Sequence, residues 1–386
     1  MVSTAWIGAI DLAAGSPLMK HLAPLAASFA VALIATPIVR RVAVRLELYD
    51  RPDGGLKPHQ TPIPYLGGVA MYLGWAAAII AAAWMGFRTS ASQPTTFWVM
   101  LGGTVLMLTG LIDDIRHLRP RTRLLVQAGV AALLVSGGVG DGIAEKLIEP
   151  VRESLPAFCT ARPVLLCASG FFCMIAIAGA TNSTNLIDGL DGLCGGVLAI
   201  AAAGLAYLNW HLSNVPGIDA GGDALRTTLT LGLFGACAAF LIFNFNPAKI
   251  FMGDSGSLLL GFTVAVVMIS FADQASPRWF ACSLMVFAFP ILDTALAIGR
   301  RALNGRPLFK GDRSHFYDQV RDRGLSVRRT VLLCYALAVA FAMLGGVMTW
   351  LRPSSLVFIL VAGPILAGVL CWRFGMLKVD DTADRK

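Results

Sequence analysis

The chain has 386 residues, of which 56 % are apolar and only 14 % charged, with a mean hydropathy of +0.70. Soluble domains carry about 25 % charged residues. The composition therefore excludes a water-soluble fold, a disordered chain, collagen and a coiled coil, and it points to an all-α polytopic membrane protein. The net charge of +8 reads as basic loops gathered on one membrane face, not as a nucleic-acid surface. Eight cysteines lie mostly inside apolar segments and show no CxxC spacing. They read as small core residues, not as a zinc site or a disulfide framework.

A helix needs about 20 apolar residues to cross a bilayer. On that measure eleven spans are predicted, at 22–40, 65–86, 96–112, 123–139, 164–181, 190–210, 226–243, 257–272, 278–298, 329–350 and 354–373. The whole chain, 1–386, reads as one integral-membrane domain. Residues 141–158 are amphipathic and suit an interfacial helix, and 374–386 form a tail. Lys and Arg in the loops set the orientation. Of the 31 basic residues, 23 follow odd-numbered spans or lie in the tail, and 8 lie on the other side. This places the N-terminus outside, the C-terminus in the cytoplasm and every unusual polar cluster on the cytoplasmic face. No basic leader with a cleavage site opens the chain, so a removable signal peptide is not expected.

Five clusters carry chemical potential. Asp113 and Asp114 close the third span, where paired carboxylates repel and are costly to desolvate. Either they form a solvated helix end neutralised by Arg116, Arg119 and Arg121, or one serves as a base or lies close to a metal ion. The stretch TNSTNLIDGLDG, 181–192, holds Asn185, Asp188 and Asp191 without a basic residue. If helical, its i, i+3 spacing puts both acids on one face. In NFNPAKIFMGDSGS, 244–257, Asp254 is either a helix N-cap or an oxygen ligand for Mg²⁺, beside a helix N-terminus suited to phosphate. The loop from Arg300 to Arg323 contains Arg313, suited to a pyrophosphate oxygen pair, and His315, able to act as acid, base or phosphate donor. Asp293 lies seven residues before Arg300, roughly 10 Å below the membrane surface, and an intramembrane carboxylate is a functional candidate. Several carboxylates, a few cations and glycine-rich turns on one face suit Mg²⁺ and phosphates.

The ordered set KPHQTPIPYLGG, GLIDD, TNLIDGLDG, NPAKIFMGDSGS and GDRSH, between about 50 and 325, resembles the polyprenyl-phosphate N-acetylhexosamine-1-phosphate transferases. That superfamily includes the WecA-type enzymes and the MraY-type phospho-MurNAc-pentapeptide translocases. GDRSH and the eleven-span count resemble the WecA type. The resemblance implies transfer of an N-acetylhexosamine-1-phosphate from a UDP-sugar to undecaprenyl phosphate in a bacterial inner membrane. UMP is released, and a cell-surface glycan is begun.

By the same resemblance Asp254 binds Mg²⁺, with Mn²⁺ able to substitute. Asp113 or Asp114 deprotonates or positions the lipid phosphate, and His315 belongs to the catalytic set. Lys57, Asn185, Asp188, Asp191, Asn244, Phe251 and Arg313 match substrate-recognition positions. Direct attack of the lipid phosphate on the β-phosphorus is the expected mechanism, with a two-step route through an aspartyl phosphate left open. The family's loop usually carries several histidines, and here only His315 remains. The resemblance also admits a homodimer. An MraY-type transferase and a cation-coupled transporter are the alternatives, the latter weakened because no inverted repeat is evident.

Overall fold

The computed structural model describes residues 17–51, 61–86, 92–215, 223–305 and 315–377. Lys57 and Arg313 lie outside the described residues, as does most of the 374–386 tail. The chain is an all-α polytopic membrane protein. Its helices are α1 (Pro17–Arg45), α2 (Gly67–Trp84), α3 (Ser92–Arg116), α4 (Pro120–Ser136), α5 (Ile143–Ile148), α6 (Arg162–Ile187), α7 (Leu193–Ser213), α8 (Asp223–Asn244), α9 (Gly253–Gln274), α10 (Pro277–Val286), α11 (Ala288–Leu303), α12 (Phe316–Asp322), α13 (Val327–Met348) and α14 (Pro353–Arg373). Prolines at the starts of α4, α6, α10 and α14 occupy positions where a missing N–H costs nothing.

All eleven predicted segments fall on helices, but they do not all qualify as spans. Among the described residues nine helices are long and apolar enough to cross a membrane, or ten if α10 and α11 count as one. Helix α4 has 17 residues, which rise only about 26 Å against a hydrocarbon core of about 30 Å. Helices α10 and α11 meet at 75°. Pro290 explains the break, because it has no N–H to offer the Val286 carbonyl four residues back. The stretch expected as one interfacial helix is the short α5 followed by a 3₁₀ turn, Glu149–Ser154, with Pro150 as its second residue.

Helix α9 is the axis of the bundle. Its residues from Ser255 to Ala272 are all buried, which suits a helix that is apolar all round. It packs against α2, α3, α6, α8 and α10. Glycine makes the close approaches: a Cβ on Gly261 would lie 2.5 Å from the Thr181 Cα, and one on Gly110 would lie 2.4 Å from the Asp254 carbonyl oxygen. Small residues let helix backbones approach in this way. The N-terminus of α9 thus opens at one end of the bundle, encircled by the ends of its neighbours.

A strap crosses that end. Strands β1 (Tyr49–Asp50) and β2 (Ile63–Pro64) pair antiparallel, Tyr49 opposite Pro64 and Asp50 opposite Ile63. The strap then ties into the segment before α9. Phe251 N–H donates to the Pro64 carbonyl at 2.9 Å, while Gly67 and Gly68 N–H donate to the Phe251 and Met252 carbonyls at 2.9 and 2.8 Å.

Candidate active site

A cleft of about 700 Å³ opens at this end, lined by residues that are distant in sequence. Asp113 and Asp114 come from the end of α3, Asn185 from the last turn of α6, and Asp188, Gly189 and Asp191 from the α6–α7 turn. Asn244 ends α8, while Phe251, Gly253 and Asp254 lead into α9. The strap adds Tyr49, Asp50, Arg51 and Tyr65. Of the described sequence candidates, His315 and Asp293 are not in this lining.

The two acids that end α3 do different things. Asp114 accepts the backbone N–H groups of Asp254 and Ser255, at 2.7 and 3.2 Å. Those amides are among the orphan donors at the start of α9, so the cap, one of the two readings of Asp254 in the sequence, comes from Asp114 on α3 instead. Gly253, at φ +72°, makes the approach possible, since a Cβ there would lie 2.6 Å from Asp114 Oδ2. Asp113 is 4 % exposed. Its Oδ1 accepts the Leu118 N–H at 2.6 Å, and its Oδ2 lies 3.0 Å from Arg123 Nη1.

Arg123, and not Arg116, Arg119 or Arg121, is the arginine paired with Asp113. The same Nη1 lies 3.5 Å from Asp254 Oδ2, so one guanidinium stands between two carboxylates. In the sequence Arg123 stands at the start of an apolar run, 123–139. The only available signal was its position three residues into a helix that follows the paired acids.

Asp254 faces the cleft with its side chain 29 % exposed. Its Oδ1 accepts from Asn185 Nδ2, which also donates to Ser257 Oγ at 3.0 Å. Asp188 and Asp191 do not sit on a helix. Helix α6 ends at Ile187, α7 begins at Leu193, and the turn between them reaches φ +80° at Gly192, a conformation that favours glycine. Asp191 Oδ2 accepts from Asn246 Nδ2 at 2.9 Å and from the Ala248 N–H at 3.0 Å. Asn244, 3 % exposed, takes the Gly192 N–H at 3.0 Å and donates to the Ile250 carbonyl at 2.9 Å. Asn244 and Asp191 therefore lock the α6–α7 turn to the segment before α9. Burial, reinforced by Asp254, Asp114 and Asp191, pushes the Asp188 carboxyl from 3.8 up to about 8.

Among the described residues no three His, Cys, Asp or Glu side chains form a metal cage on their own. Mg²⁺ does not require one, because it is commonly held by one or two carboxylates together with waters and substrate phosphates. Asp254 and Asp188, both in the cleft lining, supply hard oxygen donors of that kind. The residues present fit the ion.

Residues 96–272 match the family described as Glycosyl transferase family 4. That segment runs from α3 through α9 and holds every cleft residue described here except those of the strap. Across a longer stretch, the chain is 31 % identical over 347 residues to a probable undecaprenyl-phosphate N-acetylglucosaminyl 1-phosphate transferase of Bacillus subtilis, covering 89 % of this chain and 90 % of the relative. This chain belongs to glycosyl transferase family 4. Two further transferases are similar over most of the chain. A decaprenyl-phosphate N-acetylglucosaminephosphotransferase of Mycobacterium tuberculosis is 32 % identical over 378 residues, covering 92 % of this chain and 89 % of the relative. The undecaprenyl-phosphate alpha-N-acetylglucosaminyl 1-phosphate transferase of Escherichia coli K12 is 27 % identical over 315 residues, 79 % of this chain and 78 % of the relative.

Proposed function

We propose that this family 4 transferase moves N-acetylglucosamine-1-phosphate, or a closely related N-acetylhexosamine-1-phosphate, from a UDP-sugar to undecaprenyl phosphate, releasing UMP. Similarity to named GlcNAc-1-phosphate transferases along nine tenths of the chain carries the reading, and it favours the WecA type over the MraY type and over a transporter. The excess of Lys and Arg after odd-numbered spans supports a cytoplasmic cleft in a bacterial inner membrane. There a lipid phosphate at the interface and a soluble nucleotide can meet.

In the proposed reaction an oxygen of the lipid phosphate forms a bond to the β-phosphorus. The bond from that phosphorus to the bridging oxygen breaks, and this oxygen leaves with UMP. A phosphate monoester has a second pKa of about 6, so the lipid nucleophile is already ionised near neutral pH. That lowers the need for a general base and casts the acids as organisers. Asp114 has both oxygens engaged by α9. Asp113, buried and paired with Arg123, holds that guanidinium beside Asp254. Asp254, with Asp188 beside it, would hold Mg²⁺, which when bound would screen the phosphate charges. Asn185 orients Asp254, and Asn244 and Asp191 fix the turn that carries Asp188.

The test is UMP release by purified protein with undecaprenyl phosphate, Mg²⁺ and a panel of UDP-N-acetylhexosamines that includes UDP-MurNAc-pentapeptide. Lipid-dependent UMP from UDP-GlcNAc or a related donor, lost in Asp254→Asn, is the expected result. Release from UDP-MurNAc-pentapeptide alone would overturn the choice of sugar.

A further inference from the structure

We infer that His315 is a positioning residue that acts through Asp293 and Tyr317 on the turn carrying Asp188, and is not a group that meets the substrates. The inference rests on the transferase reading above. The GDRSH resemblance places His315 in the catalytic set, yet the residue is 4 % exposed and absent from the cleft lining.

The side chain is held from both sides. Asp293 on α11 is itself 3 % exposed. Its Oδ2 lies 2.8 Å from His315 Nδ1, and its Oδ1 accepts the Phe316 N–H at 2.7 Å. One buried carboxylate thus takes both the imidazole and the first amide of α12, which satisfies an otherwise orphaned helix donor. This also accounts for the intramembrane acid singled out by sequence. On the other side, the His315 ring lies nearly parallel to the Tyr317 ring, at 7° and 5.5 Å between centroids.

Tyr317 carries the arrangement to the cleft. Its hydroxyl donates to the Leu186 carbonyl at 3.0 Å, one of the last carbonyls of α6, which a helix end leaves without an intrahelical partner. The same oxygen lies where a Cβ on Gly189 would be only 2.1 Å away. Leu186 and Gly189 bracket Asp188, and Asn185 precedes them. The order of contact is therefore α11, His315, Tyr317, then the backbone that presents Asn185 and Asp188. A shift of about 1 Å in such a support can cost a hundredfold in rate.

Three variants test the strut. In His315→Asn the amide nitrogen stands near the place of Nδ1 and can still donate to Asp293, while the second ring nitrogen is gone. His315→Ala removes both. If His315 positions, H315A lowers kcat/KM by about a hundredfold, and H315N restores it to within about fivefold of wild type. Tyr317→Phe then raises KM for the UDP-sugar about tenfold, with kcat and the KM for the lipid phosphate within about twofold. A loss of folded protein alone would lower kcat and leave that KM unchanged.

An H315N variant as inactive as H315A, with Y317F keeping a wild-type KM, would overturn the inference and return His315 to the chemistry. Should H315A fail to fold, H315N and Y317F decide on their own. Amide hydrogen exchange separates this inference from the transferase reading. Residues 185–192 should exchange faster in Y317F and H315A but not in H315N, whether or not any donor is turned over. Wild-type exchange of that turn in Y317F would sink the strut. A silent donor panel with faster exchange would sink only the proposed sugar chemistry.

Discussion

The Asp114 carboxylate closes the N-terminus of the helix that carries Asp254, accepting the Asp254 N–H at 2.7 Å. An anion there is favoured by the helix dipole as well as by the orphan amides. Of the two adjacent acids, Asp114 is thus the one on which the placement of Asp254 depends. Asp114→Asn keeps one acceptor, leaves one amide poorly satisfied and removes the charge. We expect a loss of about 1–3 kcal/mol and a lower midpoint of thermal unfolding in detergent. Asp254→Asn should unfold within a degree or two of wild type yet lose UMP release. Equal midpoints for D114N and wild type would show that the cap is dispensable.

Much of the fold was legible because a bilayer imposes one rule, that backbone polar groups pair internally, and twenty apolar residues announce it. The exceptions have physical causes. Helix α4 is shorter than the apolar segment 123–139 because it ends at Ser136, before Gly137 and Val139. Asp188 and Asp191 have helical spacing, but α6 ends at Ile187 and α7 begins only at Leu193, leaving both acids in the turn. Within the site, the acids and amides were visible as polar residues in an apolar chain. Which of them cap, clamp or face the cleft depends on how α3, α6 and α9 pack. The pairing of Arg123 with Asp254 and the lining by Tyr49, Asp50, Arg51 and Tyr65 leave no local trace in sequence.

Gly68 tests how tightly the start of α2 is set against α9. A Cβ there would lie 2.1 Å from the Gly256 backbone nitrogen, and backbone cannot swing aside as a side chain can. Gly68→Ala should cost about 1–3 kcal/mol or more, seen as a lower unfolding midpoint and reduced folded yield. Gly129→Ala is the matched control. It sits within α4 with nothing within 4 Å of the added Cβ and should be neutral or stabilising by about 0.5–1 kcal/mol. Equal effects from the two would refute the close contact.

Arg123 stands 3.0 Å from Asp113 and 3.5 Å from Asp254, a cation where a divalent ion would also be attracted. Arg123→Ala removes that competitor and makes the cleft more negative. The expected outcome is a split: Mg²⁺ half-saturates the variant at a lower concentration, while the maximal rate falls about a hundredfold because Asp113 and Asp254 lose their common partner. An Mg²⁺ titration of UMP release measures both. A higher Mg²⁺ requirement would mean that the guanidinium orders Asp254 for the ion instead of competing with it.

Asp188 gives the metal-free protein a pH-dependent stability. Its carboxyl is raised from 3.8 to about 8, by burial first and then by Asp254, Asp114 and Asp191. Between those values the folded protein binds more protons than the unfolded chain, so stability must fall as pH rises. The contribution is complete below about 4 and is lost as pH passes through about 8. In the presence of a chelator, the unfolding midpoint should therefore decline between pH 6 and 9 on the order of several degrees. Asp188→Asn should flatten that slope because it removes the titrating proton. Added Mg²⁺ should recover most of the midpoint at pH 9 and little at pH 6, since the ion is drawn to the ionised carboxylate. A slope that survives in D188N would assign the titration to another group in the cleft.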